Sequence, residues 1–225
     1  MYKRQHQLVP TQLGRFALRD LAINNNVFTT KGLAECLRLA SSVPAGRITL
    51  HNTPSELVDA DLAAIKKSRA WRLRPYVEYL DHFGVPRPTS FEELTGDSEL
   101  AKELRGLYDD RLDLVEFPIG VLAEKRLGTQ ILGPLMTVMV GYDAFSHALT
   151  NPLLAKRNFN VDTFTSIGLN SIKYTSRLSD LLARNSKPPH AHIDFTRRRE
   201  IPGHHRPLQT PGCSDNPHTH LLRLK

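Results

Sequence analysis

The stretch SFEELTGDSELAKELRGLY, residues 90–108, carries the clearest start and stop signals for helices in this chain. Ser90 is followed three positions later by Glu93, which is the spacing of a helix N-terminal capping box. Gly96 can adopt the left-handed backbone conformation that ends many helices. The pattern therefore predicts a short helix that begins after Ser90 and ends at Gly96.

A second helix is predicted directly after the first. Asp97 or Ser98 can cap its N-terminus. Its leucines recur at spacings of four and three, which places them on one face: Leu100, Leu104 and Leu107. The same 3.6-residue periodicity occurs in other segments, and no stretch shows the sustained two-residue alternation of a strand. The sequence predicts a mainly α-helical fold.

Further helices are marked by proline and by apolar side chains. Pro118 would either kink a helix or mark its first turn. Pro134 suits a first helical turn, and Pro152 closes the region after it. Residues 166–182 are predicted as one helix with a core stripe formed by Ile172, Leu178, Leu181 and Leu182. Three other large side chains are assigned to the core: Trp71, Met136 and Tyr142.

Charge divides the chain into a body and a tail. Residues 1–185 hold 23 basic and 20 acidic side chains, whereas residues 186–225 hold seven and three, so +4 of the net +7 lies in the last 40 residues. The tail also contains six of the 15 prolines and six of the ten histidines. We expect one helical domain over residues 1–185 and a basic, Pro/His-rich, disordered tail over 186–225. No interleaving of aromatic and basic residues indicates a specific nucleic-acid partner.

Several function classes lack their sequence signals. The longest apolar run, residues 131–140, is too short to cross a bilayer, and the N-terminus does not read as a secretory leader, which favours the cytoplasm by default. Cys36 and Cys213 form neither a disulfide framework nor a zinc spacing. A phosphate-binding loop, a nucleophile elbow and a paired-histidine zinc helix are all missing. Composition and periodicity alone indicate a soluble helical domain and no chemistry.

Residues 86–125 resemble the C-terminal half of the animal-type haem peroxidase superfamily, in its cyclooxygenase and fatty-acid dioxygenase branch. Members carry a similar Ser-Phe-Glu-Glu-Leu-Thr-Gly, then a Leu-Tyr pair, then a Val-Glu-rich helix that ends in Glu-Lys. Here these blocks are residues 90–96, 107–108 and 115–125. The resemblance runs from about residue 6 to 185 and implies the C-terminal part of the haem peroxidase helical domain.

The N-terminus resembles the family block Tyr-x-x-His-x-Leu-(Leu/Val)-Pro, of which residues 6–10, His-Gln-Leu-Val-Pro, match the second half. The resemblance implies that His6 is the proximal ligand of a haem iron. It also makes Tyr2 the candidate for the catalytic radical that starts fatty-acid oxygenation. Tyr2 precedes His6 by four residues instead of three, and both offsets share one face of a helix.

The segment GYDAFSHALTNPLL resembles the family's substrate-channel helix, which contains a Phe-Ser pair followed by Asn-Pro. Phe145 and Ser146 would then line a channel for an unsaturated fatty acid, with peroxide and O2 as the other substrates and oxylipins as the products. An apolar tunnel with one hydroxyl suits an acyl chain. The alternative is that Ser146 donates to a carbonyl one turn earlier in a buried helix.

Two departures from the family pattern limit these expectations. Val77 and Leu80 stand where the peroxidase branch often has an Asn that supports the proximal histidine and an Arg that balances a haem propionate. A distal histidine has no candidate in this sequence, so an incomplete oxidoreductase that needs a missing N-terminal half is expected, with apolar helix faces left uncovered. The alternatives are a catalytically inactive helical remnant and a binding module whose basic tail contacts an anionic surface.

Overall fold

The structure is a computed structural model that describes residues 6–21, 24–185 and 193. This part of the chain is mainly helical, as predicted. In chain order its strands and α-helices are β1 (Gln12–Leu13), β2 (Phe16–Ala17), α1 (Leu18–Leu21), α2 (Asn26–Lys31), α3 (Leu33–Ser42), α4 (Val58–Ala70), α5 (Tyr76–Phe83), α6 (Phe91–Thr95), α7 (Ser98–Leu107), α8 (Phe117–Ala123), α9 (Pro134–Thr150), α10 (Val161–Lys173) and α11 (Leu178–Asn185). Short 3-10 turns span His6–Leu8, Ser55–Leu57, Leu112–Leu114 and Pro152–Leu154.

The capping signals around residue 90 are confirmed. The Ser90 hydroxyl accepts a hydrogen bond from the Glu93 backbone N–H at 3.1 Å. The Glu93 carboxylate accepts from the backbone N–H of Thr89 at 2.6 Å, one residue before the partner that a capping box would use. Gly96 ends α6 with a φ of 65°. Asp97 then caps α7 by accepting from two backbone N–H groups.

The described residues divide into two compact units, of which the first comprises residues 6–10 and 45–150. In this unit α5 packs on α8 and α9, and α6 packs on α7. The largest fully buried side chains are Leu80, Phe91, Leu104, Val115, Phe117 and Leu135. The hydrophobic core of this unit is therefore built around α5 and α8.

The crossing of α5 and α8 is unusually close at Gly120. A methyl group placed on Gly120 would lie 2.2 Å from Cγ of Tyr76. In the same pair of helices the Tyr79 and Phe117 rings have centroids 4.2 Å apart and planes tilted by 43°. The backbone N–H of Tyr76 donates to the Val115 carbonyl at 2.8 Å. Glycine is required at this position because only its lack of a side chain lets the two helices approach.

A buried carboxyl group joins α8 to the start of α9. Glu124 accepts hydrogen bonds from the Tyr76 hydroxyl at 2.8 Å and from the backbone N–H groups of Leu135 at 3.0 Å and Met136 at 3.4 Å. Burial raises the pKa of Glu124, against these hydrogen bonds, which lower it. Burial also raises the pKa of the Tyr76 hydroxyl. The role of this group is to satisfy the N-terminal turn of α9.

The second unit comprises residues 11–21, 24–44, 151–185 and 193. Its strands form a two-stranded antiparallel hairpin in which Gln12 pairs with Ala17. Cys36, Leu169 and Leu182 are buried side chains of this unit.

The prediction of one helix over residues 166–182 is wrong. α10 ends at Lys173, and α11 begins at Leu178. The Asp180 carboxylate accepts from the backbone N–H groups of Ser176 and Arg177, which stabilises the turn that starts the new helix. Because the helix register is interrupted, the expected core stripe is buried only in part: Leu182 is 4% exposed, whereas Ile172 and Leu181 are 47% and 45% exposed.

No helix in residues 6–21 and 24–185 combines the length and the hydrophobicity that crossing a bilayer would need.

Candidate functional site

The N-terminal turn His6–Leu8 is fixed to the loop that precedes α4. The Gly46 backbone N–H donates to the Leu8 carbonyl at 3.1 Å, and the Asn52 side-chain amide donates to the Gln7 carbonyl at 3.2 Å. A side chain at position 46 would place its Cβ only 2.0 Å from the Gln7 carbonyl oxygen. The turn is therefore held by backbone contacts that require a glycine at position 46.

These contacts bring His6 to Asp61, in the first turns of α4. The His6 Nδ1 atom lies 2.7 Å from the Asp61 Oδ1 atom, and the two side chains are 20% and 15% exposed. An ionised carboxylate only accepts hydrogen bonds, so the ring donates its proton from Nδ1. The lone pair of the neutral ring is then on Nε2, which makes no hydrogen bond to any described residue.

The second oxygen of Asp61 is held by two buried polar side chains. The Thr53 hydroxyl donates to Asp61 Oδ2 at 2.6 Å, and the Gln7 side-chain amide donates to the same oxygen at 3.1 Å. The Gln7 amide also donates to the Thr53 hydroxyl at 2.9 Å. Gln7 and Thr53 are 2% and 5% exposed, and within the described residues the Gln7 Oε1 atom has no partner. The carboxylate has three donors, which fix its orientation toward His6.

The sequence indicated that His6 lacked a supporting residue, and the structure supplies one from an unexpected element. Val77 and Leu80, which replace the family's Asn and Arg, are buried in α5 and have no polar side-chain atoms. Asp61 lies 55 residues from His6 in the sequence. Its only sequence signal was an acidic residue near the start of a predicted helix, which is common at helix N-termini for other reasons.

The remaining predicted site residues are Tyr2, Phe145 and Ser146. Tyr2 is outside the described residues. On α9, Phe145 is 71% exposed and Ser146 is partly buried. The Ser146 hydroxyl makes no hydrogen bond within the described part of the chain, whereas Thr150 in the same helix does donate to the Ser146 carbonyl, at 2.6 Å.

Phe145 belongs to an exposed apolar stripe on α9. Its other members, Val138, Tyr142 and Leu149, are 40%, 69% and 85% exposed. The spacings of four, three and four residues place all of them on one helix face. The assignment of Tyr142 to the core is therefore wrong, as is that of Trp71, which is 57% exposed, while Met136 is buried as predicted.

A second histidine has a similar carboxylate partner. His51 Nε2 lies 2.7 Å from Glu103 Oε2, and these side chains are 29% and 35% exposed. The distance equals that of the His6 pair, but the partner carboxylate is more exposed than Asp61. This pair provides an internal comparison for any role given to His6.

Comparison with known proteins places the chain in a family. The family model of the animal haem peroxidase domain matches residues 3–195. The chain therefore belongs to the animal haem peroxidase family. The resemblance found in the sequence is confirmed.

Curated relatives agree with this assignment. Prostaglandin G/H synthase 1 of Mus musculus is 32% identical over 188 residues, which are 81% of this chain and 31% of the relative. Prostaglandin G/H synthase 2 of Bos taurus is 31% identical over 166 residues, or 73% of this chain and 27% of the relative. The chain thus spans about a third of the length of these relatives.

Solved structures support the fold. The crystal structure of a fatty acid alpha-dioxygenase of Arabidopsis thaliana superposes with a TM-score of 0.72 at 19% identity, covering 88% of this chain and 38% of that one. Peroxidase A of Dictyostelium discoideum superposes with a TM-score of 0.57 at 14% identity, covering 76% and 34%. The predicted fold class, a mainly helical part of the haem peroxidase domain, is confirmed.

Proposed function

We propose that this chain supplies the proximal side of a haem site in an oxidoreductase of the peroxidase and fatty-acid dioxygenase type. In this proposal His6 would bind the iron. The observation that carries it is the hydrogen bond from the His6 ring to Asp61, because a metal-bound histidine commonly donates its second ring nitrogen to a carboxylate. That bond leaves Nε2 as the electron-pair donor.

The donor set fits a haem better than a bare metal ion. A protein site for a metal ion alone usually needs three or four side-chain ligands. Across residues 6–21, 24–185 and 193, no group of three or more His, Cys, Asp or Glu side chains could hold such an ion. A haem would bring its own nitrogen ligands to the iron, so a single side chain of this chain, that of His6, would be enough to hold it.

A bound haem would supply an iron that peroxide can oxidise, which is the chemistry that the family name implies. The residues of this chain would contribute binding and orientation. His6 would hold the iron, and Asp61 would hold the ring of His6. Tyr2 remains our candidate for the group that removes a hydrogen atom from an unsaturated fatty acid.

The apolar stripe on α9 is proposed as part of the fatty-acid channel. Exposed apolar faces of this kind mark sites that contact another apolar group. Phe145 would contact the acyl chain, and the hydroxyl of Ser146, which bonds to none of the described residues, would provide the polar contact within an otherwise apolar lining. A fatty acid alpha-dioxygenase of Oryza sativa was solved with palmitic acid, a saturated fatty acid with a long apolar chain.

The distal side of the site has no candidate in this sequence. Activation of peroxide needs an acid-base group within hydrogen-bonding reach of the bound oxygen atoms. Because the chain spans only 31% of the mouse relative, we propose that this group comes from a segment that the present sequence does not contain. Haem binding can then be tested with this chain alone, without the missing segment.

The test is a haemin titration of the purified chain, followed in the Soret region of the absorption spectrum. We expect a Soret shift with the unmodified chain, no such shift with His6→Ala, and an unchanged shift with His51→Ala. His51 is the matched control because its carboxylate partner lies at the same 2.7 Å distance.

Two results would contradict the proposal. If His6→Ala gives the same spectrum as the unmodified chain, His6 is not the axial ligand. If the unmodified chain gives no shift at all, the chain does not bind haem alone and the inactive helical remnant becomes the better description.

A further inference from the structure

We infer that Asp61 is a positioning residue that sets the orientation and the electron-donating strength of His6 toward a haem iron. This inference rests on the proposed function. In this inference Asp61 is the charged partner of the histidine. Val77 and Leu80 stand at the positions where the family has a supporting Asn and Arg.

The first argument is the direction of the hydrogen bond. The 2.7 Å contact uses Nδ1 of His6, so the opposite ring nitrogen, Nε2, is the one directed away from the carboxylate. A neutral imidazole has two tautomers, and an acceptor at Nδ1 selects the one whose lone pair is on Nε2. Asp61 therefore presets the tautomer that a metal ligand needs.

The second argument is the rigidity of the carboxylate. Thr53 and Gln7 both donate to the oxygen of Asp61 that His6 does not use. Asp61 also lies near the N-terminus of α4, where the helix dipole stabilises a negative charge. An ordered partner limits the rotation of the ring, which lowers the entropy cost of binding the iron.

The third argument is the contrast with the His51–Glu103 pair. Glu103 is 35% exposed, whereas Asp61 is 15% exposed. Solvent weakens the effect of an exposed carboxylate on its partner, and a more buried carboxylate acts more strongly. We therefore expect Asp61 to increase the electron-donating strength of His6 more than Glu103 increases that of His51.

The test uses two variants of Asp61 in the full chain loaded with haemin. Asp61→Ala removes the partner, and we expect a 10–100-fold weaker haemin affinity, the range typical of losing such a residue. Asp61→Asn removes the charge and replaces one acceptor oxygen by an NH2 donor, so we expect weaker haemin affinity and a higher iron reduction potential, measured by spectroelectrochemistry.

Asp59→Asn is the matched control. Asp59 lies in the same turn of α4, is exposed and carries the same charge. We expect this variant to leave both the affinity and the potential unchanged. Unfolding in urea, measured on each variant, separates a loss of folded protein from a loss of iron binding.

The outcomes separate this inference from the ligand assignment. If His6→Ala abolishes the Soret shift while both Asp61 variants equal the unmodified chain, Asp61 does not act on His6 and the ligand assignment stands. If Asp61→Ala does not fold, the potential of Asp61→Asn relative to Asp59→Asn decides, and equal potentials overturn the inference. If His6→Ala changes nothing, both proposals fail together.

Discussion

Replacing Gly120 by alanine is expected to lower the free energy of unfolding by about 1–5 kcal/mol. The new methyl carbon would lie 2.2 Å from Cγ and 2.4 Å from Cδ2 of Tyr76, whereas apolar carbons pack at about 3.5–4.0 Å. These atoms are close to the Tyr76 backbone, and the side chain is only 2% exposed. The ring can therefore move away only if α5 shifts relative to α8.

The magnitude follows from three contributions. Overpacking a core costs about 1–3 kcal/mol. Moving Tyr76 also breaks the buried hydrogen bond from its hydroxyl to Glu124. Leaving a buried polar group unsatisfied costs a further 1–3 kcal/mol, roughly. Alanine gains about 1 kcal/mol over glycine in a helix, which offsets part of this loss.

The assay is urea unfolding followed by far-ultraviolet circular dichroism. Gly106→Ala is the control, because Gly106 also lies in a helix and a methyl group there would meet no atom within 4 Å. This control should keep or increase stability by up to about 1 kcal/mol. Equal effects of the two substitutions would show that α5 and α8 do not cross as closely as described.

Three further changes have defined outcomes. Ser90→Ala should cost about 1 kcal/mol in urea unfolding, because it removes the cap of α6, and no loss would mean that the cap contributes little. Burial raises the folded-state pKa of Glu124, so the folded chain binds this proton more tightly than the unfolded chain. The free energy of unfolding of the unmodified chain, relative to that of Glu124→Gln, should therefore fall as the pH rises from the unfolded-state pKa of Glu124 through its higher folded-state pKa. A difference between the two chains that does not change with pH would contradict this. Phe145→Ser should weaken binding of a fluorescent fatty-acid analogue, whereas Trp71→Ser, a change at another exposed aromatic residue, should not; equal losses would argue against a channel on α9.

The parts of the fold that sequence predicted are those determined by neighbours in the chain. The Ser90 cap and the Asp97 cap each involve residues two or three positions away, so the pattern contains all the information needed. Pro134 begins α9 for the same reason, since its fixed φ suits a first turn. The capping residue Asp180 was a local signal for the break before α11, but the leucine periodicity continues across this break and favours one helix.

Burial was predicted less well because it depends on distant segments. Tyr142 and Trp71 are large and aromatic, which favours the core, yet both are largely exposed. A periodic apolar pattern shows that a face is apolar and does not show whether this chain covers it. The α9 stripe is such a face.

The candidate site was predicted only in part. His6 was identified by resemblance to a family motif, and Tyr2 lies outside the described residues. Asp61 and Thr53 were missed because their contacts with the first turn join residues about 50 positions apart, and no local pattern records such a contact.

The separation between His6 and Asp61 also has a consequence for how the protein is made. The two residues are 55 positions apart in the sequence. At a synthesis rate of about 5–20 residues per second, the ribosome therefore adds Asp61 roughly 3–11 s after His6. During that interval the histidine has no carboxylate beside it and α4 does not yet exist. We expect binding of the proposed haem to follow the emergence of α4, and a synonymous-codon slowdown between these positions to delay it.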